Sequence, residues 1–189
     1  GMGAFMFRQR RALLILGAGL LALGVWGASK LIVNDARILA FKDQHPLVQA
    51  ARALNERFDG TSELNIVVTP PTTGALLRPE VLKKIAALET FTESLPHVGG
   101  THSVVGWVKR AHQRLHDDKP EYYGIPGDPS DIKYYLDTLG ARTSPMSRLL
   151  REVVDPTYTS ANLIVRLRSS EYIHERVVIR AIEQYLAEQ

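Results

Sequence analysis

The sequence predicts an α+β domain that follows a single N-terminal transmembrane helix. Three observations predict it. Residues 12–29 carry no charged side chain, and an uncharged apolar run of about 18 residues is long enough to span a bilayer as a helix. Short β-branched runs at 63–69 and 160–168 read as strands. Between and after them, apolar residues recur at helical spacing over stretches bounded by proline and glycine.

Residues 1–11 read as a cytoplasmic N-terminus, with Gly1 ahead of Met2 as a remnant of expression. Arg8, Arg10 and Arg11 resist crossing a membrane and keep this end inside. Residues 12–33 are the expected transmembrane helix. The run is apolar on every side, unlike a helix that faces a soluble core, and a helix pairs its own backbone groups in lipid. A cleaved signal peptide is the rival reading, with Gly27-Ala28-Ser29 as the cleavage site. Against it, the run exceeds an h-region of about 7–15 residues, and Leu31-Ile32-Val33 continues it past Lys30. Gly24 and Ala28, four apart, suit close approach of another helix. Residues 34–61 form a periplasmic linker and an amphipathic helix. Asn34-Asp35-Ala36-Arg37 is the polar break, Pro46 suits a first turn, and Leu47, Ala51, Leu54 and Phe58 form the apolar stripe. Asp59-Gly60 stops that helix.

Residues 62–189 make up the main domain. The strand at 63–69 ends at Pro70-Pro71. Pro79 opens a helix with Val81, Leu82, Ile85, Leu88 and Phe91 on one face, and Pro96 closes it. Residues 98–105 read as a second strand around Gly99-Gly100, and 107–116 as a helix with Val108, Ala111 and Leu115 inward. Residues 117–129 are loop by composition. Asp128 caps a helix to Leu139, Gly140 ends it, and Ser144-Pro145 starts a short helix through Val154. After the strand at 160–168, a last helix from Ser170 carries Ile173, Val177, Ile182 and Leu186. The order is β–α–β, helical insert, β–α. That is the pattern of ferredoxin-like β-α-β modules, with the second module lacking its last strand. The chain ends on a helical pattern with no stop signal, so a longer protein is expected.

Net charge is +3, and three of the basic residues precede the anchor. The remainder is near neutral, which excludes the concentrated basic surface that nucleic acid requires. The absence of cysteine excludes disulfides, thiolate-held zinc and thiol nucleophiles. His112 and His116 are four apart and share a helix face, but Gln113 stands where a zincin motif has Glu. They are read as a solvated face, and no metal is assigned. Ser103 lacks the Gly-x-Ser-x-Gly elbow, and no carboxylate pair suggests acid–base work. Neither a catalytic residue nor a cofactor is assigned, and the chain is read as no enzyme. Trp107, Tyr122 and Tyr123 are the candidates for contact with an amphiphilic cargo, because aromatic clefts with few polar groups are common ligand sites. Tyr134 and Tyr135 rank below Tyr122-Tyr123, which sit in a Pro/Gly-rich loop. Ordinary packing is the competing reading for all five.

Several segments in order carry a family likeness. They are Val33-Asn34-Asp35, His45-Pro46-Leu47, Leu54-Asn55-Glu56-Arg57-Phe58-Asp59-Gly60 and Pro79-Glu80-Val81-Leu82, then Leu95-Pro96-His97-Val98, Ser103-Val104-Val105 and Tyr158-Thr159-Ser160-Ala161-Asn162-Leu163-Ile164-Val165. Behind one membrane helix, this series resembles the resistance–nodulation–division (RND) superfamily of exporters, in its MMPL-like branch. The resemblance implies a periplasmic porter segment of a proton-driven exporter of lipids or other hydrophobic compounds, in a bacterial inner membrane. It implies as partners the remaining transmembrane helices, a second porter domain, the lipid bilayer, a hydrophobic cargo and a homo-oligomer. The proton-carrying residues of such exporters lie in membrane helices outside this stretch. The alternative is a membrane-anchored periplasmic binding or scaffolding module with no transport activity. The reading frame beyond Gln189 separates the two.

Overall fold

The computed structural model describes residues 10–30 and 41–188, which fall into two units, Gly1–Asp35 and Ala36–Gln189. In the first unit, Arg10–Ser29 form a 20-residue helix, α1. Its described large apolar side chains are exposed all round, Leu14 by 72% and Trp26 by 65%. Among the described residues, no helix is long and apolar enough to cross a membrane. The described apolar part, from Leu14 to Ser29, rises only about 24 Å against about 30 Å of hydrocarbon. The transmembrane helix expected over 12–33 is thus present as a helix and not shown as a span. Residues 31–33 and the polar break at 34–37 lie outside the described residues.

The second unit begins with α2, Pro46–Arg57. His45 caps it, its Nδ1 accepting from the Leu47 N–H at 3.2 Å, while Pro46 has no N–H to satisfy. The expected stripe is present but uncovered, with Leu47, Leu54 and Phe58 all exposed. Then follow β1 (Ser62–Val68), α3 (Pro79–Glu93), β2 (Val98–His102), α4 (Val104–Arg114), α5 (Pro129–Gly140), α6 (Ser147–Val153), β3 (Ala161–Leu167) and α7 (Tyr172–Ala187). Short 3-10 turns lie at Ala75–Leu77 and, within the stretch expected as loop, at Pro120–Tyr122.

The α+β class expected from the sequence holds. The sheet has the order β1-β3-β2, and β3 is antiparallel to both neighbours. β1 and β2 are therefore parallel to each other and separated by β3, which is the split β-α-β arrangement. Among the described residues both β1 and β2 are sheet edges. Val98 opposes Leu167 and Gly100 opposes Arg166, so Gly99 is the extra residue of a β-bulge. The Asp59-Gly60 turn crosses over this bulge. A Cβ on Gly99 would lie 1.6 Å from the Asp59 carbonyl oxygen, and one on Gly60, at φ +124°, would lie 2.2 Å from that of Leu167.

β3 joins two cores. Leu163, Val165 and Leu167 pack with Leu88, Val98, Val178 and Ile182 from α3, β2 and α7. Ile164 belongs to a second cluster with Val104, Val105, Val108, Ile132, Leu136 and Val153 from the helical insert. Full burial of each such aliphatic side chain contributes about 1.5–3 kcal/mol, so the insert has a core continuous with the sheet. Two boundaries differ from expectation for a local reason. Ser103 Oγ accepts from the Val105 N–H at 3.0 Å, so α4 starts at Val104 and β2 stops at His102. Ser144 Oγ accepts from the Met146 N–H at 3.2 Å in a turn, so α6 starts only at Ser147.

Candidate functional site

Helices α4 and α5 meet through Val108, Ile132 and Leu136. Beside that seam, the spacing of side chains opens a groove. On α4 and its C-cap, Trp107, Ala111 and Leu115 recur four residues apart along one face. On α5, Tyr134 and Tyr135 are followed one turn later by Thr138 and Leu139. These residues, with Met146, Arg110 and Arg114, line a groove of about 420 Å³. Tyr135 is 5% exposed and forms its floor, whereas Tyr134 and Leu115 are 59% and 57% exposed at its mouth. Burial, with Asp131 and Tyr134 nearby, pushes the Tyr135 phenol above its ordinary pKa, so it remains a neutral donor.

Trp107 is fixed from behind. Its Nε1–H donates to His102 Nε2 at 3.2 Å, with the rings edge to face at 5.9 Å. That bond requires a neutral His102 with its proton on Nδ1. Burial and then the charge of Arg166 push the His102 pKa down, against a smaller upward pull from Glu152. The Arg110 guanidinium lies 5.8 Å over the ring of Tyr123. Arg114 faces Asp118 at 3.7 Å, an exposed pair one turn along worth about 0.3–0.5 kcal/mol.

The structure places Trp107 in this groove and Tyr122 and Tyr123 outside its lining. Tyr122 stacks on His116 at 4.0 Å. Tyr123 is half exposed and lies under the guanidinium of Arg110, a residue of the groove lining. Tyr134 and Tyr135, ranked lower from the sequence, both line the groove. The signal that could have found them is their helical spacing to Thr138 and Leu139, opposite the Trp107 face.

The two histidines at i, i+4 are engaged within the fold. His112 Nδ1 hydrogen-bonds with the Gly124 carbonyl at 3.0 Å, and His116 Nδ1 with the His112 carbonyl at 2.8 Å. Among the described residues no group of three or more His, Asp or Glu side chains could hold a metal. Ser103 is buried, and its hydroxyl both caps α4 and hydrogen-bonds Glu89.

Other concavities lie among the described residues. One of about 310 Å³ lies between the end of β1, α3 and α7, where Val68, Pro70, Ile85, Leu88 and Tyr185 line it. Another, about 180 Å³, is bordered by Asp137, Asp155 and Tyr158. There Asp155 accepts the backbone N–H groups of Thr157, Thr159 and Ser160 at 2.9, 2.7 and 2.6 Å. Burial alone would raise the Asp155 pKa, but the bond from the Thr157 hydroxyl and then these backbone bonds outweigh it and hold the carboxyl well below the usual range. Tyr158, at φ 57°, donates to Asp137 at 2.5 Å, which also pairs with Lys133. This cluster organises the loop before β3.

No family model matches the chain, and no curated protein matches it.

Proposed function

We propose that the chain is the periplasmic porter segment of a proton-driven RND-type exporter of the MMPL-like branch, which moves lipids or other amphiphiles outward. The observation that carries this reading is the aromatic groove between α4 and α5. A carrier of amphiphiles needs an apolar surface reachable from water, and monomeric domains otherwise keep such patches small. Half-buried Trp107, with Leu115, Tyr134 and Met146 exposed around it, supplies one.

In this reading α1 belongs to the leading membrane helix. Its exposed leucines support this, because water penalises apolar surface by about 25 cal/mol per Å² and lipid does not. The arginines at its start keep the N-terminus in the cytoplasm. The split β-α-β sheet supports a ferredoxin-like porter module. The remaining transmembrane helices would supply the proton path, with a second porter domain as a further partner.

The test is photo-crosslinking in bacterial cells that express the full-length protein. Benzoylphenylalanine is placed at Trp107, at Tyr134 and, as a control, at exposed Lys83 on α3, and the cells are fed an alkyne-tagged fatty acid. Lipid adducts are expected from the two groove positions and not from the control. No adduct at either groove position overturns the reading.

A further inference from the structure

The groove between α4 and α5 has an electrostatic asymmetry that an apolar cargo alone does not use. Arg110 and Arg114 stand one turn apart at its edge, and no carboxylate lines it. Arg110 forms no ion pair among the described residues; its guanidinium lies over the face of Tyr123. Arg114 has Asp118 at 3.7 Å, with both side chains more than half exposed. Such a pair exchanges readily for a better partner, since it is worth only about 0.3–0.5 kcal/mol. Two planar guanidinium groups offer forked donors that match the oxygens of a carboxylate or phosphate. Away from them, the groove runs over Ala111, Tyr135 and Leu139, which present hydrocarbon and ring faces.

We propose that this groove binds a single-chain amphiphile, its tail along Ala111, Tyr135 and Leu139 and its anionic head group held by Arg110 and Arg114. The inference rests on the groove being a cargo-contact surface and adds the class of cargo. The size fits: about 420 Å³ lies within the range of small-molecule sites, about 300–1,000 Å³. A concave site of this size receives one chain and not the plane of a bilayer. The Arg110 guanidinium, already held 5.8 Å over the Tyr123 ring, is partly ordered before the head group arrives, which lowers the entropy cost of binding.

The test uses the full chain with Trp26→Phe, which leaves Trp107 as the sole tryptophan, held in nanodiscs of phosphatidylcholine. Octanoate, octyl glucoside and octyltrimethylammonium are titrated in turn, and Trp107 emission is followed. Octanoate is expected to bind about tenfold more tightly than octyl glucoside, with the cationic amphiphile weakest. Arg110→Gln combined with Arg114→Gln is expected to remove the preference, so that octanoate binds within about twofold of octyl glucoside, with the circular-dichroism spectrum intact. Equal affinities for the three probes, or a preference that survives the double variant, overturn the anionic assignment while the cargo groove stands. Absence of any Trp107 response to all three overturns both. If phosphatidylglycerol in the disc shifts Trp107 in place of added octanoate, the groove reads a bilayer surface and the single-chain assignment falls.

Discussion

At the scale of single residues, the bond between Trp107 and His102 couples the groove to protons. The indole can only donate, so the bond exists only while His102 Nε2 is unprotonated. The folded protein holds the His102 pKa below its ordinary value of 6.5, chiefly by burial and then by Arg166. A base with a depressed folded pKa contributes stability that is full above its unfolded pKa. That contribution is lost as pH falls below 6.5 toward the lower folded value. Trp107 emission in the Trp26→Phe chain is therefore expected to be flat between neutral and mildly alkaline pH and to shift on acidification. His102→Phe, which keeps the packing but has no acceptor, should abolish the acid-induced shift. A shift that persists in that variant would assign it to another group.

Elements show which parts of the fold a sequence declares. Helix starts were legible because they are local: Pro79, Asp128 and Pro46 act on backbone within two residues. Asp128, for example, accepts from the Ser130 N–H at 2.8 Å. The start of α4 was misplaced because Ser103 was weighed as a nucleophile and not as a cap. The sheet order was not legible. β3 enters between β1 and β2 through pairings such as Asn162 Nδ2 to Asn65 Oδ1, at 2.8 Å and 97 residues apart, and no local pattern encodes them. The Gly99 bulge belongs to the same class, since its need for glycine comes from the Asp59 carbonyl of a distant turn. Gly99→Ala is expected to lower unfolding free energy by about 3 kcal/mol, read as a fall in the urea midpoint with the slope unchanged. A loss under about 1 kcal/mol would mean that the Asp59-Gly60 turn moves aside freely. The candidate site was half legible for the same reason. Trp107 stood out by residue type, but whether Tyr122-Tyr123 or Tyr134-Tyr135 joins it depends on how α4 and α5 dock.

Across the whole molecule, the described residues combine a helix with no apolar face buried and a domain whose insert shares a core with the sheet. The absence of cysteine means that nothing covalent braces that domain. Its outer boundary is uneven, because among the described residues β1 pairs on one side only. Val67 near the end of that strand is 67% exposed. A bare strand border of seven residues templates further strands. Purified samples of the chain should therefore thicken into thioflavin-positive fibres as protein concentration rises, starting at residues 62–68. Val67→Lys should delay that onset severalfold, and an unchanged lag would place the sticky margin elsewhere. Whatever lies next to that margin in the cell has to do the same shielding work.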